Sequence, residues 1–177
     1  LGTELKGKTL GIVGFGNIGQ RVAEIASVIG MKIITNSSSA SDDILSRFNA
    51  SKVSTDELIS TSDVISLHTK LNDETKNMFN ATSFNSMKSS SVLINCARGG
   101  LINEAELKVA LDNDVIAAAA VDVYETEPAT NSPLFNAKNL LLTPFELGVL
   151  VKNSKIFRNH IPMDFYSKTG KFWSNYS

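Results

Sequence analysis

The chain has 177 residues, of which 42% are hydrophobic and 20% are charged, and its formal net charge is −1. A chain of this length can bury one substantial hydrophobic core. The near-neutral charge gives no electrostatic basis for general binding to nucleic acid or to a membrane, and no apolar run is long enough to span a bilayer. The single cysteine, Cys96, excludes an internal disulfide and fits a reducing compartment, so we expect a cytoplasmic protein.

The first predicted element is an apolar strand, Thr9–Val13, that runs into a glycine-rich turn. Gly14, Gly16 and Gly19 have G-x-G-x-x-G spacing, and apolar residues recur at helical spacing over residues 17–29. A strand, a glycine turn and a helix form the context that a dinucleotide-binding fingerprint requires. In that role the first glycine allows the tight turn, the second admits a pyrophosphate, and the third lets the helix pack against the strand. The alternative is a turn with a purely structural role.

The rest of the chain alternates apolar strands with helical stretches, which is the pattern of a parallel sheet. We predict strands over residues 31–35, 64–67, 91–95, 115–123 and 140–142, and helices over 42–48, from 54 onward and over 103–111. The alanine-rich strand 115–123 suggests close packing on both faces. The fold class expected is therefore α/β, a Rossmann-type doubly wound parallel sheet with helices on both faces.

The composition changes after Pro144. The last 33 residues hold seven of the thirteen aromatic residues and five basic residues against two acidic ones. We therefore divide the chain into a dinucleotide-binding domain, residues 1–144, and a divergent aromatic and basic segment, residues 145–177. This segment either packs on the sheet or offers a surface to a partner.

Charged residues follow two of the predicted strands. Arg98 comes just after the strand 91–95, and Asp122 and Glu127 lie at or beyond the end of the alanine-rich strand. Ligands of open α/β sheets bind outside the carboxyl ends of the strands. An arginine in that place can bind a carboxylate through two parallel hydrogen bonds, although a solvated surface arginine is the alternative. The two acids have the alternative of capping a helix or lying in a solvated loop.

The chain resembles the D-2-hydroxyacid dehydrogenase family, and within it the D-3-phosphoglycerate dehydrogenases, over about residues 1–144. The matching segments, in order and spacing, are GTELKGKTLGIVGFGNIGQ, TSDVISLHTKLNDET, VLINCARGGLINEAEL and AAVDVYETEPATNSPLF. The resemblance implies hydride transfer between the nicotinamide C4 and the C2 of a 2-hydroxy acid, with 3-phosphoglycerate as a candidate. It implies NAD as the cofactor, a small 2-hydroxy or 2-oxo acid as the substrate, and allows a homodimer. No metal site is suggested, because neither histidine has further metal ligands near it in sequence.

The resemblance also implies roles for individual residues. Arg98 binds and orients the substrate carboxylate and carbonyl, and Glu127 holds and tunes a catalytic histidine. Asp122 binds the nicotinamide carboxamide. The other cofactor residues that it implies are Asn17 and Ile18 at the pyrophosphate, the backbone of Cys96 and Ala97 beside the nicotinamide, and His68 near the cofactor.

Two single residues depart from the family pattern. The family has its acid/base histidine in T-P-H, whereas this chain reads T-P-F and places Phe145 there; His160 matches no family motif. Ser37 stands where the family usually has an aspartate that binds the ribose 2′-hydroxyl. Without that acid a 2′-phosphate is not repelled, but no arginine stands beside Ser37 to bind one, so the sequence favours NAD and leaves NADP open. Arg47 and Lys52 are candidates to contact such a phosphate.

The third departure concerns extent. The family builds its substrate domain mainly from chain that precedes the nucleotide-binding domain, and this chain opens at Leu1 directly before the first strand. We expect it to be a segment of a longer protein, with the N-terminal substrate domain absent and the dehydrogenase activity impaired. Two alternatives stay open: a non-catalytic dinucleotide-binding or interaction module, and a truncated gene product. Cofactor binding without turnover would indicate the first, and failure to fold or bind would indicate the second.

Overall fold

The computed structural model describes residues 3–127 and 129–143. Its strands are β1 (Thr9–Val13), β2 (Lys32–Thr35), β3 (Ala50–Lys52), β4 (Val64–Leu67), β5 (Val92–Asn95), β6 (Ala118–Val121) and β7 (Leu140–Leu142). Its helices are α1 (Asn17–Ile29), α2 (Asp42–Arg47), α3 (Thr55–Thr61), α4 (Ala81–Ser86) and α5 (Glu104–Asp112), with a 3-10 turn at Pro133–Asn136. The segment predicted as divergent, 145–177, lies outside the described residues, and so do Phe145 and His160.

The strands form one sheet in the order β3-β2-β1-β4-β5-β6-β7, and all six pairings are parallel. The chain proceeds from β1 outward through β2 to β3, and then returns to the other side of β1 to continue with β4. This reversal between β1 and β4 confirms the expected doubly wound topology. In such a sheet the crevice for a ligand opens at the carboxyl ends of the two strands that flank the reversal.

The hydrophobic core has two clusters, one on each face of the sheet. Successive side chains of a strand point to opposite faces, and Ile12 and Val13 of β1 accordingly belong to different clusters. Leu45 of α2 and Ala23 of α1 pack in the Ile12 cluster, while the Val13 cluster holds residues of α3, α4 and α5. The helices therefore cover both faces, as predicted. None of the described helices is long and apolar enough to cross a membrane.

Side-chain caps fix where four of the helices begin. Ser41, Ser54 and Asn103 precede α2, α3 and α5, and each side chain accepts a hydrogen bond from a backbone N–H three residues on. Asn80 precedes α4 and forms a reciprocal capping box with Ser83. Such caps satisfy N–H groups that have no partner inside the helix. The predicted starts at 54 and 103 are thereby explained.

Helix α1 packs on the sheet through its small residues and not through its large apolar ones. Ile18 and Ile25 are 70% and 50% exposed, whereas Gly19, Ala23 and Ala26 are buried against the sheet. Small residues allow the helix axis to approach the strands, and a Cβ on Gly19 would lie only 2.4 Å from the carbonyl oxygen of Gly14. The sequence therefore predicted the helix correctly but gave no reason to expect an exposed apolar stripe.

Other elements differ from their predictions in extent. The strand predicted over 115–123 is limited to Ala118–Val121, because the N–H of Val115 still bonds to Ala110 at the end of α5. Its residues alternate between partly buried and buried, so the packing is not equally close on both faces. Strand β3, helix α4 and the 3-10 turn were not predicted. Their segments are only three to six residues long, too short to show a hydrophobic periodicity, and tertiary contacts define them.

Candidate functional site

The three glycines of the β1–α1 turn differ in their surroundings. Gly14 has φ +90°, and a Cβ there would lie 2.7 Å from the carbonyl oxygen of His68, so the fold itself requires glycine. The fold also requires glycine at position 19, because a Cβ there would lie 2.4 Å from the carbonyl oxygen of Gly14. At Gly16, by contrast, a Cβ would meet no atom within 4 Å apart from its own chain neighbours. The fold therefore leaves open space beside Gly16, where the fingerprint places a pyrophosphate.

The N-terminus of α1 is the one helix start in the described residues without a side-chain cap. Its N-cap is Gly16, and the first turn contains no acidic residue. The unpaired N–H groups and the positive end of the helix dipole are available to an anion as a result. Asn17 and Ile18, which the sequence assigns to the pyrophosphate, are the first two residues of this helix and are exposed.

A cavity of about 350 Å³ lies at the carboxyl ends of the central strands. Its lining residues are Ile18, His68, Thr69, Lys70, Leu71, Cys96, Ala97 and Arg98. Five of these were singled out from the sequence, and they come from three separate segments of the chain. The start of α1, the end of β4 and the loop after β5 thus meet around one space. Ser37, Asp122 and Glu127 are not among its lining residues.

His68 follows β4 and is half-buried at the cavity wall. Its Nε2 lies 2.9 Å from the hydroxyl oxygen of Ser66, which fixes the ring orientation. Burial lowers the pKa of His68 below its usual value, because the charged imidazolium is less well solvated there. This shift favours the neutral form of the ring. In that form the ring presents a hydrogen-bonding group to the cavity without adding a positive charge.

Asn95, which the sequence analysis did not single out, organises the loop that carries Arg98. Its buried side chain donates to the carbonyl of Arg98 at 2.9 Å and accepts from the N–H of Ala97 at 3.1 Å. Arg98 itself is exposed, and its guanidinium donates to the carbonyl of Ala97 at 2.6 Å. The guanidinium is thus held beside the cavity by one bond to its own loop, and its other donors can bind a carboxylate.

The loop after β6 carries the two acids predicted from the sequence. Asp122 accepts a hydrogen bond from the hydroxyl of Thr143 at 2.5 Å, and Glu127 accepts one from the N–H of Tyr124 at 3.0 Å. Burial, together with the nearby carboxylates, raises the pKa of Tyr124 to about 12, so its phenol stays protonated. Burial and the negative charge of Asp122 also raise the pKa of the Cys96 thiol. The negative charge of Asp122 therefore acts on Cys96, which lines the cavity.

Glu104, at the start of α5, anchors this loop. It is 8% exposed, and its two carboxylate oxygens accept from the N–H of Glu125 at 2.7 Å and from the hydroxyl of Ser132 at 2.6 Å. The loops after β5 and β6 also touch, because a Cβ on Gly99 would lie 1.7 Å from the carbonyl oxygen of Tyr124. The Glu104 bonds thus tie α5 to this loop, and the Gly99 contact ties the segment of Arg98 to the segment of Glu127.

Ser37 lies at the carboxyl end of β2, next to the β1 turn in the sheet. The buried hydroxyl of Thr35 accepts from the N–H of Ser37 at 3.2 Å and donates to the carbonyl of Ile12 at 2.7 Å. These bonds fix the start of the loop after β2 against β1. Among residues 3–127 and 129–143, no group of three His, Cys, Asp or Glu side chains is placed to hold a metal ion.

Neither Asn95 nor Glu104 was identified as a site residue from the sequence. The signal available for Asn95 was an amide side chain at the end of an apolar strand, where it can bond the backbone of the following loop. Glu104 follows an N-cap, so its sequence position favours a solvated acid of the first helical turn. Its burial depends on a loop about 20 residues further along, which no local pattern indicates.

Comparison with known proteins assigns the chain to a family. The sequence profile of "D-isomer specific 2-hydroxyacid dehydrogenase, NAD binding domain" matches residues 1–146. A glyoxylate reductase of Aeropyrum pernix is 43% identical over 145 residues, which are 81% of this chain and 43% of the relative. A D-3-phosphoglycerate dehydrogenase of Bacillus subtilis is 37% identical over 156 residues, 88% of this chain and 30% of the relative.

Solved structures give the same result. The NAD-complexed D-isomer specific 2-hydroxyacid dehydrogenase of Lactobacillus delbrueckii ssp. bulgaricus superposes with a TM-score of 0.75 at 31% identity, over 82% of this chain and 48% of that one. The chain therefore belongs to the D-isomer specific 2-hydroxyacid dehydrogenase family, whose members are oxidoreductases, and it comprises the NAD-binding domain of that family. It spans less than half the length of each of these relatives.

Proposed function

We propose that this chain supplies the cofactor-binding half of a D-2-hydroxyacid dehydrogenase, in which hydride passes between nicotinamide and C2 of a 2-hydroxy or 2-oxo acid. The observation that carries the proposal is the uncapped start of α1 beside the open space at Gly16, on the rim of the same cavity that Arg98 lines. One end of the cavity suits a pyrophosphate and the other suits a carboxylate. NAD supplies the hydride acceptor when it is bound.

The residues at the Arg98 end have separate tasks in this proposal. Arg98 binds the substrate carboxylate and orients the carbonyl, and the amide of Asn95 keeps its loop in place. Asp122 would bind the nicotinamide carboxamide when the cofactor is present, and the backbone of Cys96 and Ala97 would border the ring. Glyoxylate and 3-phosphoglycerate, the substrates named by the two relatives, both carry the carboxylate that Arg98 would bind.

A second candidate function is cofactor binding without turnover. The sequence places Phe145 where the family has its acid/base histidine, and a phenyl ring cannot transfer a proton. In the structure Glu127 accepts a hydrogen bond from the N–H of Tyr124, within its own loop. That bond gives Glu127 a structural role that needs no imidazole partner. Cofactor affinity with no turnover in the complete protein would favour this function.

We propose further that the chain associates as a homodimer through α1. Ile25, Val28 and Ile29 are 50%, 85% and 48% exposed on this helix, and contiguous apolar surface of this kind marks interaction sites. Symmetric dimers are the commonest assemblies of soluble chains. We therefore propose that a second copy of this chain covers the exposed apolar face of α1. Sedimentation velocity should give a dimer that Val28→Glu converts to a monomer. A monomer before substitution would refute the assignment.

The test of the main proposal is titration with NADH, followed by nicotinamide fluorescence. Gly16→Val should weaken binding by about tenfold or more, because its side chain would fill the space left for the pyrophosphate. The fold should be little affected, since a Cβ at this position meets no atom within 4 Å other than those of its chain neighbours.

The matched control is Ala105→Val, which adds a branched side chain at an exposed position of α5. It should bind NADH as the unmodified chain does. If the Gly16→Val variant and the control bind NADH with equal affinity, the pyrophosphate does not bind beside Gly16. Thermal unfolding of both variants checks that any loss of binding is not a loss of fold.

A further inference from the structure

Asp122 and Thr143 occupy equivalent places at the ends of two neighbouring strands. Strands β6 and β7 pair with Val121 opposite Leu142, and Asp122 and Thr143 are the next residue of each. The N–H of Thr143 donates to the carbonyl of Val121 at 3.1 Å, and the N–H of Asp122 donates to the carbonyl of Asn95 at 3.0 Å. The sheet therefore fixes the backbone at both positions, at the edge where the loop after β5 lines the cavity.

The side chains of these two residues meet. The hydroxyl of Thr143 donates to Oδ1 of Asp122 at 2.5 Å, and the carboxylate of Asp122 makes no other hydrogen bond or ion pair within the described part of the chain. Oδ2 of Asp122 therefore keeps its capacity to accept a hydrogen bond from a ligand. Burial and the charge of Asp122 raise the pKa of the Cys96 thiol, so this carboxylate lies near a residue of the cavity wall.

Thr143 is held from a second side by Tyr124. The buried phenol of Tyr124 donates to the carbonyl of Thr143 at 3.4 Å, and its ring packs edge-on against Phe135. The N–H and the carbonyl of Thr143 are thus both bonded to the β6 segment. Its hydroxyl therefore reaches Asp122 from a fixed backbone. The family roles implied by the sequence include Asp122 but not Thr143.

We propose that Thr143 is a positioning residue for the cofactor, whose hydroxyl holds Oδ1 of Asp122 so that Oδ2 faces the nicotinamide carboxamide. The inference rests on the proposed function, because it assumes that Asp122 binds this carboxamide. The terminal torsion of an aspartate is broad when no bond restrains it. A bond that fixes the carboxylate before the cofactor arrives reduces the ordering cost of binding. Thr143 should therefore affect the affinity for the nicotinamide end of the cofactor and not for the pyrophosphate.

The experiment compares the Kd of the complete chain for NADH and for ADP-ribose by isothermal titration calorimetry. ADP-ribose contains the pyrophosphate and both riboses but lacks the nicotinamide. Thr143→Val keeps the shape of the side chain and removes its hydroxyl. It should raise the Kd for NADH about fivefold and change the Kd for ADP-ribose less than about twofold. Thr143→Ser, which keeps the hydroxyl, should retain the NADH affinity of the unmodified chain.

A double-mutant cycle with Asp122→Ala separates positioning from a general structural effect. Asp122→Ala should itself weaken NADH binding and leave ADP-ribose binding unchanged. Addition of Thr143→Val to this variant should cause no further loss, because the hydroxyl then has no carboxylate to hold. If Thr143 only stabilises the loop, the two substitutions should instead weaken NADH binding additively.

The matched control is Thr61→Val, at an exposed threonine that ends α3 before β4 and so lies at the opposite edge of the sheet. It should change neither Kd. The inference is wrong if Thr143→Val leaves the Kd for NADH unchanged, weakens both ligands equally, or adds its full effect to Asp122→Ala. In those cases a loss of NADH affinity in Asp122→Ala alone still supports the proposed function. If the unmodified chain binds NADH no more tightly than ADP-ribose, the proposed role of Asp122 is refuted as well.

Discussion

At the scale of single residues, Asp63 shows how one carboxylate joins the amino ends of neighbouring strands. Its Oδ2 accepts from the N–H of Thr9 at 2.8 Å and its Oδ1 from Nζ of Lys88 at 2.9 Å. Its backbone N–H and carbonyl bond to Thr9 and Val92. The Thr9 hydrogen bond, helped by Lys88, holds the pKa of Asp63 below its usual value although partial burial acts in the opposite direction.

The sign of this shift predicts a loss of stability in acid. Because the pKa is lower in the folded protein than in the unfolded chain, the ionised form stabilises the fold above about pH 4, and this stabilisation is lost as the pH falls through the folded value. Asp63→Asn should therefore lower the free energy of unfolding by about 1 kcal/mol at pH 7. The difference between the two proteins should shrink toward pH 3.

Urea titrations at both pH values measure this difference. The exposed carboxylate of Asp73 provides the control, since Asp73→Asn should change little at either pH. If Asp63→Asn lowers the free energy of unfolding by the same amount at pH 3 and at pH 7, the ionised carboxylate of Asp63 is not the cause.

The sequence predicted some residues of the site and missed others for identifiable reasons. Gly14, Gly16 and Gly19 could be assigned because their spacing and flanking elements are local signals. Arg98 could be assigned because the carboxyl ends of parallel strands meet at one edge of the sheet. Asn95 and Glu104 could not, since their roles depend on which segments the fold brings beside them.

At the scale of elements, Glu104 connects α5 to the loop after β6. A buried carboxylate with two acceptor bonds cannot be replaced by an amide without reversing one of them. Glu104→Gln should lower the free energy of unfolding by about 1–3 kcal/mol. Amide hydrogen exchange at Glu125 should increase, because that N–H and the hydroxyl of Ser132 compete for the one acceptor oxygen that the amide retains.

Glu106→Gln, on the same helix, is the control. Its carboxylate accepts from the N–H of Ala81 at the start of α4 and does not contact the loop after β6. Exchange at Glu125 should therefore remain slow in this variant. If both variants accelerate exchange at Glu125 equally, the effect belongs to α5 as a whole and not to the Glu104 contact.

Element boundaries were predictable where hydrophobic periodicity or a cap marks them. Strands β1, β4 and β7 have the predicted bounds, and α1 runs from residue 17 to residue 29 as predicted. Strand β3, with the sequence Ala-Ser-Lys, shows no such pattern and forms because it pairs with β2. The buried face of α1 was not predictable either, since its small residues pack while its isoleucines stay exposed.

At the scale of the whole molecule, cofactor binding and catalysis should be separable. The unmodified chain should bind NADH yet oxidise D-3-phosphoglycerate and other D-2-hydroxy acids with little or no turnover. Loss of a positioned acid/base group typically costs about 10²–10⁴-fold in rate, and Phe145 occupies that position in the sequence. The chain spans less than half the length of each of these relatives.

NADH formation followed by absorbance at saturating cofactor measures this turnover. Phe145→His should recover activity only when a substrate domain is supplied in the same chain or by a partner. Turnover by the unmodified chain at roughly 1–10³ per second would show that another residue transfers the proton. His160→Ala would then be the first variant to assay.

The backbone contact between Gly99 and Tyr124 has a consequence for how such domains can be altered. No side chain, not even a methyl group, fits between the two loops, so neither can shift toward the other or be reshaped alone. We therefore expect residues 96–100 and 122–127 to tolerate replacement by the segments of a relative only when both are replaced together. A chimera that takes residues 96–100 from one relative should take residues 122–127 from the same relative, because the two backbones pack directly against each other.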